Sequence, residues 1–218
     1  MNRIALTALA CMLLAAGARG ADAPAAGSTR VYDFVASLDG KPIGRHRFTV
    51  TTRGDGARKV VSEADFQVRV LGFLAYRYHH RAEEQWQGDC LVGLRATTDD
   101  DGKPASVQLA REGDAATLRA NGATSTVEGC LMTYAYWNPA LRDQKRLLNP
   151  QTGKVDAVTV EQVADGPVRV GGRDVAASDW RVAGGEAPVD VWVTAQGDWI
   201  GLDSVVAKGK HKLSYRLP

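Results

Sequence analysis

Glu63-Ala64-Asp65-Phe66-Gln67-Val68-Arg69-Val70 and Leu74-Ala75-Tyr76-Arg77-Tyr78-His79-His80-Arg81-Ala82-Glu83-Glu84-Gln85-Trp86 flank Leu71-Gly72-Phe73. Their reading decides the fold. Apolar and polar residues alternate with period two, the mark of a strand with one buried face. Phe66, Val68 and Val70 share one side of the first run. Leu74, Tyr76, Tyr78, His80, Ala82, Glu84 and Trp86 share one side of the second, leaving Arg77, His79, Arg81 and Glu83 to solvent. Two long strands joined at a glycine make a hairpin.

The same rhythm extends outward. Upstream, Tyr32, Phe34, Ala36 and Leu38 alternate before a turn at Asp39-Gly40-Lys41-Pro42, and His46, Phe48 and Val50 return before Gly54-Asp55-Gly56. Downstream, turns at Gln87-Gly88-Asp89, Asp99-Asp100-Asp101-Gly102 and Asn121-Gly122 separate strands carrying Cys90, Val92, Leu94, Val107 and Leu109. The rhythm breaks between Gly129 and Gln151. There Tyr134-Ala135-Tyr136-Trp137-Asn138-Pro139 precedes a segment of helical character, Ala140 to Leu148, stopped by Asn149-Pro150. Strands resume at Lys154, with turns at Gly171-Gly172, Gly184-Gly185 and Gln196-Gly197-Asp198. One echo joins the halves: Gln87-Gly88-Asp89-Cys90 and Gln196-Gly197-Asp198-Trp199 each open a strand, a match that shared turn chemistry alone can produce.

Roughly a dozen strands exceed what an open twisted sheet carries before curling. The expected fold is therefore all-β: one antiparallel curved sheet, a β-roll or half-open barrel, with one short helical and aromatic insertion.

Arg3 precedes an apolar run from Ile4 to Ala18, and Ala18-Arg19-Gly20 supplies small residues for a peptidase. Residues 1–20 read as a signal peptide cleaved near Gly20, residues 21–30 as an Ala/Gly/Ser linker, and residues 31–218 as a single β-rich domain. The expected location is periplasmic or secreted. Ala8-Leu9-Ala10-Cys11 loosely resembles a lipobox, against which stands the apolar run continuing past Cys11. The leader holds two arginines and no acid, so the remainder carries 25 basic and 25 acidic residues. That balance leaves no electrostatic footprint for nucleic acid. Cys90 and Cys130, left after cleavage in an oxidising compartment, have one intramolecular pairing open to them, a structural disulfide.

No Gly-x-Ser-x-Gly, Walker loop, His-Glu-x-x-His or Cys-x-x-Cys occurs, and no catalytic residue, metal or cofactor is expected. His79 and His80 are adjacent on a strand and point to opposite faces, which excludes a shared ion in regular geometry. Asp99-Asp100-Asp101-Gly102 lacks the ligand spacing of a calcium loop and reads as a turn. His46, His80, His211 and Glu84 fall on the apolar face. Either they are a polar cluster inside a concavity or, as the more ordinary fate, His46 and His211 lie beside turns near a solvated rim and a bulge rotates Glu84 outward. Tyr134, Tyr136 and Trp137 are either a lid or a plug for one open end.

Leu38-Asp39-Gly40-Lys41-Pro42-Ile43-Gly44, Tyr136-Trp137-Asn138-Pro139, Leu148-Asn149-Pro150-Gln151-Thr152-Gly153, Val191-Trp192-Val193 and Ile200-Gly201-Leu202 resemble an uncharacterised family of exported bacterial β-rich proteins. The likeness spans most of the chain beyond the leader. More loosely the pattern is similar to envelope half-barrels that carry lipids or lipoproteins, although Thr194 follows Trp192-Val193 where those have an acidic or aromatic residue. Three functions follow as expectations. The first is binding or carriage of a hydrophobic, lipid-like ligand on a concave face built from Phe34, Phe48, Phe66, Tyr76, Tyr78, His80, Glu84 and Trp86, with Tyr136 and Trp137 near the mouth. The second is a structural or protein-interaction module of the envelope, working through strand edges. The third, and least favoured, is an enzyme using His80 and Glu84 as an acid/base pair. The ligand's identity and the oligomeric state stay open.

Overall fold

A computed structural model describes residues 27–218. The leader, with the first residues of the linker, lies outside the described residues. Eight strands run as a continuous meander: β1 (Ser28–Leu38), β2 (Lys41–Thr52), β3 (Ala57–Val70), β4 (Phe73–Gln87), β5 (Cys90–Asp100), β6 (Lys103–Glu112), β7 (Ala115–Ala120) and β8 (Ala123–Glu128). A second meander holds β12 (Thr159–Val170), β13 (Arg173–Ala183), β14 (Val189–Val193), β15 (Trp199–Val206) and β16 (His211–Arg216). Between them lie β9 (Met132–Thr133), a 3-10 helix (Pro139–Asp143), β10 (Arg146–Leu148) and β11 (Val155–Ala157). β16 pairs antiparallel with β1, fusing the meanders into one thirteen-stranded sheet that begins at β12 and ends at β8. The two ends of this curled sheet do not pair, so the barrel is not closed.

Five of the hairpins are made by two-residue turns in which both residues take positive φ, among them Asp39-Gly40, Asp101-Gly102 and Asn121-Gly122. That geometry follows the twist of the flanking strands and favours Asp or Asn followed by Gly. Strand β1 starts at Ser28, so the end of the expected linker already pairs with Thr52. The helical segment expected over Ala140 to Leu148 is shorter: the 3-10 turn ends at Asp143, and Arg146–Leu148 pairs as a strand with Val155–Ala157. Asn138 caps the turn by accepting from the Ala140 N–H at 3.1 Å, and Pro139 fixes its first φ. Leu147 and Leu148 are wholly buried, and tertiary burial decides their conformation.

The inner face of β3 to β5 is lined partly by small side chains, Ser62, Ala64, Ala82 and Ala96, all buried. Small residues alone would leave the concavity hollow. The segment between β8 and β12 enters that space, burying Leu131, Met132, Ala135, Trp137, Leu141, Leu147 and Leu148 in the same core as the sheet. Its entry is fixed twice. Cys90 and Cys130 form the disulfide, and the Leu91 N–H donates to the Leu131 carbonyl at 2.9 Å. Its exit is fixed by fit: a Cβ on Gly153 would lie 2.2 Å from Ala120 Cβ, so only glycine lets the 149–153 loop sit on β7.

On the other side of the concavity the core is aromatic. Trp199, almost fully buried, has ring-centroid distances of 4.4 Å to Phe34, 5.0 Å to Phe48 and 5.5 Å to both Tyr32 and Tyr136. Trp199→Ala should destabilise by about 3 to 5 kcal/mol through the cavity it leaves. Substituting Cys90 and Cys130 by Ser should cost about 3 to 4 kcal/mol by freeing the loop in the unfolded chain. Urea unfolding monitored by fluorescence and by circular dichroism checks both values.

Candidate functional site

The insertion does not fill the concavity. A cavity of about 500 Å³ remains between it and the sheet. One wall is the inner face of β2 to β4, contributing His46, Phe48, Val60, Ser62, His80 and Glu84. The opposing wall is the insertion, Thr133 to Trp137. The remaining lining comes from Asn149-Pro150-Gln151 and from the β13–β14 and β15–β16 connections, where Glu186, Pro188 and Lys208 are exposed and form the rim.

Antiparallel register explains why the polar groups gather. His46 on β2 stands opposite Ala64 on β3, which stands opposite His80 on β4 and then Thr98 on β5. Residues in such a row share a face of the sheet, and here the face is the concave one. His80 Nδ1 lies 2.9 Å from Thr98 Oγ1. His46 Nδ1 lies 3.3 Å from the Tyr215 hydroxyl, and its buried Nε2 has no hydrogen-bond partner. Glu84 Oε2 accepts from Trp86 Nε1 at 2.9 Å, and Thr133 also hydrogen-bonds the carboxylate.

Burial sets the charge of this wall. It lowers the His46 pKa to about 3, with the neighbouring His80 adding to the shift. It lowers His80 to about 4, helped by His79 and opposed by a hydrogen bond with the Thr97 backbone. It raises Glu84 to about 7 against the two hydrogen bonds that favour the carboxylate. Near neutral pH the wall therefore offers uncharged imidazoles, hydroxyls and a carboxyl at its own titration point.

Of the aromatic residues assigned to ligand binding from sequence, Phe48, Tyr136 and Trp137 line the cavity, together with His80 and Glu84. Phe34, Phe66, Tyr78 and Trp86 are buried elsewhere in the core. Phe34 is covered by Trp199, Phe66 stacks on Tyr78 at 5.4 Å, and Trp86 meets Trp137 edge-on at 5.4 Å. Tyr76 is half-buried and donates to Asp100 at 2.7 Å, outside the cavity. Trp137 packs under Arg58, which pairs with Asp89 at the β4–β5 turn, whereas the rim lies at the opposite end of the strands. Tyr136 and Trp137 thus close the inner end of the cavity instead of standing at its mouth. His46 and Glu84 point inward. The bulge at Gln85/Trp86 does not rotate Glu84 out, because Trp86 Nε1 and Thr133 hold its carboxyl inside. His211 does lie at the rim, exposed and 2.7 Å from Asp39. Leu74 leaves the inner face after a bulge at Val68/Arg69 and is half exposed.

Sequence reasoning did not reach Ser62, Thr133 or the rim loops, whose residues carry no periodic signal. Nor did it reach Trp199, although the repeated Gln-Gly-Asp turn marks where its strand begins. His80 and Glu84 do not form an acid/base pair. Four positions along a strand separate their Cα atoms by about 13 Å, and their polar atoms are engaged with Thr98 and with Trp86 and Thr133 respectively.

A curled, unclosed antiparallel sheet holding a chain segment and a cavity on its concave side defines an all-β, barrel-like protein. The chain belongs to the family described as domain of unknown function DUF6134, whose model matches residues 32–217. It is similar in fold to the crystal structure of a beta-barrel-like protein of domain of unknown function DUF1849 from Brucella abortus. That match has a TM-score of 0.57 and 11% identity and covers 87% of this chain and 95% of the other. No curated protein matches the sequence.

The opposed shifts predict a stability maximum near pH 6.5. Below it, the unfolded histidines take up protons that buried His46 and His80 refuse, so stability falls as pH drops toward 4. Glu84 acts in reverse. Its folded pKa exceeds its unfolded value, so stability declines as pH rises from about 4.5 to about 7 and the cost persists above that. Glu84→Gln should leave the urea midpoint at pH 4 unchanged and raise stability at pH 8 by an amount on the order of 3 kcal/mol.

Proposed function

We propose that this is an exported binding or carrier protein that holds a small amphipathic, lipid-like molecule in the concave cavity, polar end inward. The observation that carries the reading is an unfilled space of about 500 Å³ whose sheet wall carries four buried polar side chains, His46, Ser62, His80 and Glu84. The volume lies within the range of about 300 to 1,000 Å³ usual for small-molecule sites. A ligand hydroxyl or carbonyl set against these side chains exchanges hydrogen bonds with water for hydrogen bonds with the wall, and burial keeps both imidazoles uncharged near neutral pH. Val189, Val206 and Leu213 near the rim supply apolar surface for the body of such a ligand. The neutral wall favours an uncharged polar end, since an anionic group would meet no cation at the depth of His46 and Ser62.

Export is supported by the leader's composition and by the Cys90–Cys130 bond, which belongs in an oxidising compartment. The envelope interaction module, working through strand edges, is a weaker reading because it leaves the cavity without a role.

Native mass spectrometry on protein purified from the periplasm without detergent, before and after organic extraction, tests the proposal. The expected result is an additional mass that extraction removes, and rebinding of a naphthylamine fluorophore to the extracted protein. Ala187→Trp, which puts an indole across the rim, should weaken that fluorophore at least about tenfold while leaving the unfolding midpoint near wild type. A clean apo mass together with fluorophore affinity unchanged by Ala187→Trp would exclude the cavity as the binding site.

A further inference from the structure

The β3–β4 hairpin carries the largest apolar exposure on the described surface. Leu71 is 93% exposed, Phe73 78%, Val70 57% and Leu74 51%. Isolated exposed leucines are ordinary, but four in five consecutive residues around one turn are a patch. This hairpin also outreaches the sheet. The last pair between β2 and β3 is Gly44 with Phe66, and β5 reaches β4 only as far as Arg77, whose carbonyl accepts from the Asp101 N–H at 2.8 Å, so the backbone of residues 67–76 pairs only within the hairpin. The strict alternation of β3 and β4 ends here too. Val70 and Leu71, then Phe73 and Leu74, put apolar side chains on both faces of a two-stranded ribbon, whereas packing against its own sheet would need only one.

The turn residue itself is chosen against local stability. Asp39, Asp101 and Asn121 occupy the first position of comparable turns, with φ of 49°, 51° and 50°, and these residue types tolerate the left-handed region. At the β3–β4 turn the same conformation, φ 51°, is taken by Leu71, which gains no local hydrogen bond there and leaves its side chain in water. Backbone and solvation both oppose this residue, so its benefit comes from something outside the chain.

We propose that the β3–β4 tip inserts into the surface of a lipid bilayer. Three features select a membrane over a protein groove. The tip is apolar on all sides, as a surrounding hydrocarbon medium requires. Its depth matches: two residues of strand on each side of the turn, at about 3.3 Å each, span the roughly 5 to 10 Å to which interfacial elements penetrate. And Arg69 and Tyr76 stand just above it, followed by Arg77, the residue types that meet headgroups. Exposed Lys41, Lys103, Lys208 and Lys210 at the same end of the strands stand among exposed Asp39, Asp100, Asp101 and Glu186, so the charges of this end largely balance and the apolar tip carries the insertion. The cavity rim lies at this end as well, although insertion of the tip does not depend on what the cavity holds.

Cosedimentation with vesicles of phosphatidylethanolamine and phosphatidylglycerol, and with vesicles of phosphatidylcholine alone, tests this on the exported protein and on Leu71→Asn/Phe73→Thr prepared with the same N-terminus. Wild type should pellet with both kinds of vesicle, since apolar burial of the tip drives the insertion. The variant should lose at least about tenfold in partitioning. Because Asn suits the turn, its urea midpoint should equal or exceed that of wild type, which separates lost docking from lost fold. Absence of wild type from both pellets would overturn the proposal, as would equal pelleting of wild type and variant. A wild-type dimer in size-exclusion chromatography that the variant abolishes would overturn it in favour of a second copy of this chain as the occupant.

Discussion

Everything in this structure depends on a mismatch of volume. A sheet of thirteen strands curls around more space than the side chains of its inner face can fill, above all where β3 to β5 present Ser62, Ala64, Ala82 and Ala96. An empty interior of that size would forfeit dispersion contacts over a wide area. The chain meets the deficit with its own irregular segment, which enters at the disulfide and leaves at Gly153. What remains unfilled is the cavity of about 500 Å³. The site is thus the residue of a packing problem solved incompletely, and its polar groups are those that strand register placed on the concave face.

The strands were legible because each had to satisfy one buried and one wet face, and period two is the direct imprint of that requirement. Turns were legible because positive φ restricts residue choice, as at Asp39-Gly40 and Asn121-Gly122. The segment after Gly129 was legible only as an interruption. Its Leu147 and Leu148 are strand residues because they pair with Met132–Thr133 and Val155–Ala157 and are buried in the core under the large sheet, and no periodic pattern encodes that.

Candidate site residues fared according to the same logic. Alternation put His46, His80 and Glu84 on the inner face, and the structure keeps them there, whereas the ordinary expectation for polar residues would have moved two of them outward. Large aromatics were overassigned to the cavity, since alternation reports which face a residue takes and not what covers it. Phe34 and Trp86 are inside but sealed under Trp199 and Trp137. The family motifs acquire a physical meaning by the same route. Gly44 ends its motif because a Cβ there would lie 1.9 Å from the Asp65 carbonyl oxygen, and Asn138-Pro139 is a cap.

The pairing of β1 with β16 has a kinetic side. Asp39 is held by the backbone of Lys212, a contact spanning 173 residues, and the seam it belongs to lies mid-sheet instead of at an edge. The first meander can form hairpins as it emerges, yet its β1 border stays a sticky, unpaired edge until residues 211–216 arrive. Such non-local closure is slow. Commitment to the native state therefore waits on β16, whatever local hairpins the first meander has already formed.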